Sequence, residues 1–107
     1  MIKRGQEIIS EEEIVCKTIR SQARGLMFRR KKHNLIMILP KERNISLHMF
    51  FVFYPIDVIL LNKDKKVMEI KENFKPFTFW NSKNKGKYLI ELGKEHSKIE
   101  MGEVLEF

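Results

Sequence analysis

Asp57, Arg29 and His48 are the residues whose types and setting best suit chemistry. Asp57 stands between Ile56 and Val58 in an apolar run, where a carboxylate is costly to bury without a partner. It must therefore reach solvent, a backbone donor or a cation. Arg29 is a candidate partner, because a guanidinium grips a carboxylate through two parallel hydrogen bonds. His48 belongs to the one residue type that ordinarily titrates near neutrality, and with Arg29 and Asp57 it defines a candidate polar pocket for a small ligand. The structural alternative weighs more for each residue alone: Asp57 accepting backbone donors where Pro55 breaks a strand ladder, and His48 partly buried with its ring satisfied. Ser46, His48 and Asp57 can be drawn as a catalytic triad, but no nucleophile elbow surrounds Ser46 and a triad is defined by geometry, not by composition. A small hydrolase using Asp57 and His48 as acid and base is therefore the third reading, and a non-catalytic binding or accessory module the first.

The second reading is nucleic-acid binding. Arg29, Arg30, Lys31 and Lys32, together with Lys75, Lys83, Lys85 and Lys87, offer cations for phosphates, and Phe77, Phe79 and Trp80 offer rings for stacked bases. The bland counterpart is a solvated basic surface above aromatic core residues, since no recognised binding motif is present. No metal site is expected: His33, His48 and His96 lack ligand spacing. No cofactor is expected either, as the glycines are scattered and form no phosphate loop. Cys16 is the single cysteine, more often a small buried hydrophobe than a reactive thiol. The methionines, Met27, Met37, Met49 and Met68 among them, read as gap-fillers in the core.

The elements that must position these residues centre on Leu47 to Leu61. Leu47, Met49, Phe51 and Phe53 alternate with His48, Phe50 and Val52, which predicts a strand covered on both faces. Pro55 removes a ladder donor and should interrupt it before Ile56 to Leu61 resumes. A single helix is disfavoured by that interior proline and by the β-branched and aromatic content. A membrane span needs roughly 20 apolar residues, and this run is shorter and holds His48, Pro55 and Asp57.

Around that centre, Gln6 to Ser10 is expected as a short strand and Glu12 to Ile19 as a weakly alternating one. Thr18 with Gln22 predicts a brief helix near residues 18 to 25, ended by Gly25. Leu35 to Leu39 reads as a strand and Pro40 to Asn44 as a polar loop. Asn62 to Lys66 reads as a hairpin turn ahead of a strand over Val67 to Lys71. Pro76 keeps the aromatic stretch Phe74 to Trp80 off a central strand. Tyr88 to Leu92 forms another strand, ended by Gly93. Glu95 to Met101 is expected to make one helical turn, and Val104 to Phe107 the last strand. The sum is a mainly β, compact sandwich or partly open barrel of about seven short strands with one short N-terminal helix, a single domain over residues 1–107.

With 43% hydrophobic and 33% charged residues the chain is globular rather than disordered or fibrous. The formal charge of +7 favours a polyanionic partner and also aids solubility. A lone cysteine and an N-terminus without an apolar stretch place the protein in the cytoplasm.

Four blocks carry a resemblance to a known family: Gly25-Leu26-Met27-Phe28-Arg29, the run from Ile45 to Leu61, Tyr88-Leu89-Ile90-Glu91-Leu92, and Gly102-Glu103. In order and spacing they span about residues 14 to 107, and the pattern resembles the uncharacterised small proteins known as DUF192. His48-Met49-Phe50 stands where the family often has an aromatic-Met-Lys-Asn run, which looks like its archaeal branch. Glu103 replaces a usual Asp, and Lys65-Lys66 a common Asp-Gly turn. The resemblance implies a mainly β fold with a short helix, and no reaction or ligand.

Overall fold

The computed structural model describes residues 1–16, 32–48 and 54–107. Nine strands lie among them: β1 (Ile2–Arg4), β2 (Glu7–Ser10), β3 (Ile14–Cys16), β4 (Asn34–Arg43), β5 (Ser46–His48), β6 (Ile56–Leu61), β7 (Val67–Phe74), β8 (Phe79–Asn81) and β9 (Gly86–Leu92). Five of them form one sheet in the order β3-β4-β9-β6-β7, with β1-β2 and β5-β8 as separate two-stranded ribbons. β3 runs parallel to β4, and the remaining neighbours in the sheet are antiparallel. No helix is present among the described residues, and none is long and apolar enough to cross a membrane.

The apolar residues of β6 and β9 explain why those strands sit in the middle. Val58, Ile59, Leu60 and Leu61, like Leu89, Ile90 and Leu92, are buried whichever face they point to, so the sheet is covered on both sides. On one face Leu35, Met37, Val58, Leu60 and Leu89 pack with Tyr54 and Phe74, and Leu47 and Trp80 of the β5-β8 ribbon close over them. On the other, Ile36, Ile59, Leu61, Ile90 and Leu92 meet Ile2 and Ile9 of the β1-β2 ribbon and Ile99 and Leu105 of the C-terminal segment.

Several expectations hold in detail. Ile56 to Leu61 is a strand, and Asn62 to Lys66 is a tight turn in which Asn62 Oδ1 accepts the amides of Asp64 and Lys66 at 2.9 and 3.1 Å. Others need correction. Among the described residues the sheet stays open, and the strands number nine instead of about seven, because β1 and β8, one strand of each ribbon, are three residues long, too short to show a period. β4 continues through Pro40 to Arg43, where the sequence predicts a polar loop. Its pairing with β9 jumps from Ile38 opposite Tyr88 to Arg43 opposite Gly86, so Pro40 lies in an irregularity that needs no donor from it. Lys87 Nζ occupies that gap, donating to the carbonyls of Leu39 and Pro40.

Glu95 to Met101 is irregular rather than helical. Arg4 captures the Lys98 carbonyl at 2.6 Å and holds both carboxylate oxygens of Glu103 at 3.0 Å, which fixes the segment from outside. The last residues make single bridges, Lys66 to Val104 and Lys3 to Glu106, and not a full strand. The helix expected near residues 18 to 25, and the strand expected from Met49 to Phe53, lie outside the described residues.

Candidate functional site

Asp57 is the second residue of β6, opposite Leu92 of β9. Beside it the β6–β7 pairing slips, from Ile56 opposite Phe74 to Val58 opposite Lys71. The extra residue on β7 is taken up with Asn73 in a left-handed conformation, φ 50°, which asparagine tolerates better than most residues. The bulge turns the Asn73 amide toward Asp57 Oδ1, to which it donates at 2.8 Å. The second carboxylate oxygen lies 2.7 Å from His96 Nε2, and the other ring nitrogen, Nδ1, is 2.6 Å from the Ser97 carbonyl. The side chains are 32% exposed at Asp57 and 11% at His96.

Two clefts share this pair. One, of about 280 Å³, has Ile59, Ile70 and Ile99 as its floor and Glu72 and Lys98 on its rim. The other, of about 410 Å³, is bordered by Lys32, Lys94 and Glu95. The carboxylate thus looks out on apolar walls and on charges of both signs. Both ring nitrogens of His96 are engaged, one against the Ser97 carbonyl and the other against the Asp57 carboxylate.

The same end of the sheet is braced by Asn34, which is buried. Its Oδ1 accepts the amides of Gly93 and Lys94, each at 3.0 Å, while its Nδ2 donates to Ser10 Oγ at 2.7 Å. Gly93 is required there by close approach, since a Cβ would meet the His33 carbonyl at 2.5 Å and the Tyr54 ring at 2.6 Å. Among the described residues no buried side-chain nitrogen or oxygen lacks a hydrogen-bond partner, and no group of three or more His, Cys, Asp and Glu is placed to hold a metal.

Glu91 is a buried carboxylate in the middle of the sheet. It sits on β9 between Leu35 and Val58, is 9% exposed, and has its pKa pushed up to about 7 by desolvation. It projects to the face opposite Asp57, the side on which Leu35, Val58 and Leu89 pack.

The residues singled out from sequence fall partly outside the described residues and partly on different elements. Arg29, Arg30 and Lys31 lie outside the described residues. The strand carrying His48 pairs with Phe79 and packs through Leu47 on one face of the sheet, whereas Asp57 projects toward Ile59, Ile70 and Ile99 on the other. Lys87 is turned onto the β4 carbonyls, and Trp80 is half-buried against the core. Lys75, Lys83 and Lys85 are exposed. His96, the side chain that does meet Asp57, has no motif spacing to mark it, and no local pattern links two residues 39 apart. Asn34 reads in the sequence as part of a turn, with nothing to show that its side chain braces another strand.

The comparisons agree with the fold. The profile of the DUF192 family, described as Uncharacterized ACR, matches residues 2–107. A UPF0127 protein of Pyrococcus furiosus is 35% identical, over 99% of this chain and 94% of its own. A UPF0127 protein of Pyrococcus horikoshii is 35% identical over 80% of this chain and 78% of its own. A solved structure of a protein of unknown function from Novosphingobium aromaticivorans superposes with a TM-score of 0.76 at 22% identity, covering 87% of this chain and 72% of that one. At that identity the likeness shows the fold alone. A match along nearly the whole length, with archaeal relatives above 30% identity, makes this chain a member of the DUF192 family.

Proposed function

We propose that the chain is a non-catalytic binding module that takes a small polar ligand at Asp57. The observation that carries this reading is the half-exposed carboxylate fixed by the Asn73 amide and by His96, with clefts opening on either side. A carboxylate anchored by two donors is pre-organised to accept a further hydrogen bond, which lowers the cost of ordering a ligand. The isoleucine floor and mixed-sign rim suit a compact molecule with an amine or hydroxyl group on an apolar body. Acid–base turnover fits less well, because both ring nitrogens of His96 already have partners within the protein and neither faces open space for a substrate. A cytoplasmic setting suits a chain whose sequence has a single cysteine, so that no disulfide can form within it.

The test is a thermal-shift screen with a library of small amines, amino acids and polyols. A true ligand at about 100 times its Kd stabilises by about 2.7 kcal/mol, and the shift should vanish in Asp57→Asn while persisting in Glu12→Gln. Shifts that survive Asp57→Asn would count against the site.

A further inference from the structure

A second surface, separate from Asp57, holds cations and rings that the fold leaves unused. From the end of β7 the chain turns at Lys75 to Thr78, where Thr78 Oγ1 donates to the Lys75 carbonyl, and then runs out along β8. Phe77 is 61% exposed and Phe79 is 74% exposed. Asn81, two residues on, shares the outward face of β8 with Phe79, while Trp80 between them points into the core. The next turn is held down by Glu69, whose Oε1 accepts the amides of Lys83 and Asn84 and the Asn84 side chain at 2.9 to 3.0 Å. Ser82 ties the same turn to Ile45 through two bonds of 2.8 Å. Arg43 pairs with Gly86 at its far side. Arg43, Lys83 and Lys85 are thereby gathered at one end of a ridge that carries Phe79 and Phe77 toward the other, with Lys75 beyond. All four cations are exposed. Among the described residues none of them is in a salt bridge.

Phe77 adds a second kind of observation. Its backbone is left-handed, φ 63°, a conformation that a large aromatic residue adopts at a cost. A bulky ring in that conformation, set out in solvent, does nothing for the core.

We propose that this ridge binds single-stranded nucleic acid. Unpaired bases stack on the exposed Phe77 and Phe79 rings, and phosphates lie against Arg43, Lys83 and Lys85. Single strands are favoured over duplex because the rings can reach only bases that are unstacked. The chain's formal charge of +7 assists the approach.

The experiment is fluorescence anisotropy on the full chain with labelled oligouridylate and oligodeoxythymidylate of about 12 nucleotides, across about 50 to 200 mM salt. Saturable binding is expected, weakened roughly 5- to 150-fold by Phe79→Ser, the range set by losing one stacked base. The pair Lys83→Ala and Lys85→Ala should make the plot of log Kd against log salt shallower by about 0.7 for each phosphate no longer neutralised. Phe77→Gly should weaken binding yet leave the melting temperature unchanged or higher, which separates lost stacking from lost folding. Asp57→Asn should bind nucleic acid normally, so the two sites stand or fall separately. The proposal is overturned by absence of saturable binding at the lowest salt, by unchanged affinity in Phe79→Ser, or by equal competition from a duplex of the same length.

Discussion

Replacing Glu91 by Gln should change how the stability of this protein depends on pH. The carboxyl sits between Leu35 and Val58 in the middle of the sheet, and burial raises its pKa from 4.5 to about 7. The folded chain therefore keeps this proton to higher pH than the unfolded chain does. Stability from this group is fully present below about pH 4.5, declines as pH rises toward 7, and is flat above that. At 1.36 kcal/mol per pH unit, the interval between 4.5 and about 7 amounts to ~3 kcal/mol as an order of magnitude. Glutamine has nearly the same shape and no charge to expose. Urea unfolding of the wild type and Glu91→Gln at about pH 5 and about pH 8.5 isolates the effect from all other titrating groups. The two proteins should be similar at the lower pH, and the variant more stable by ~3 kcal/mol at the higher. Parallel pH profiles for the two would refute the burial of a desolvated carboxylate at this position.

Further outcomes follow from the bonds at the open end of the sheet. Gly93→Ala should cost about 1–3 kcal/mol, because the carbonyl of His33 lies 2.5 Å from the new methyl and cannot swing aside; a melting temperature within a degree of wild type would refute the close approach. Asn34→Leu removes the acceptor shared by the Gly93 and Lys94 amides and should destabilise by about 1–3 kcal/mol on chemical unfolding. Arg4→Ala should free the segment around Lys98 and Glu103, read as faster amide hydrogen exchange from Glu100 to Glu103 with slower-exchanging β9 amides unaffected.

The parts of the fold that are legible from sequence are those where a single physical constraint acts locally. Ile56 to Leu61 has too many β-branched neighbours on both faces to be anything but a covered strand, and Asn62 brings the side-chain acceptor its own turn requires. What escapes depends on pairing at a distance. Pro40 reads as a loop residue until β9 is known to slip past it and Lys87 to fill the gap. Glu91 alternates like an exposed residue and is buried because strands close on both of its sides. The site follows the same rule. Asp57 is recognisable because a charge inside an apolar run must be satisfied somehow, and a backbone donor near Pro55 is the kind of partner expected, although it comes from Asn73 of the neighbouring strand. His96 is not recognisable, since its place is set by Arg4 gripping the following residues from the far end of the chain.

The most direct measurement of the proposed function is a titration of the 15N-labelled protein with a compound that raises its melting temperature, followed amide by amide. Shifts confined to Asp57, Asn73 and the residues from Leu92 to Ser97, and abolished by Asp57→Asn, are the result expected of a ligand seated against the carboxylate. Shifts that gather elsewhere on the sheet, or that persist unchanged in the Asp57 variant, would contradict it.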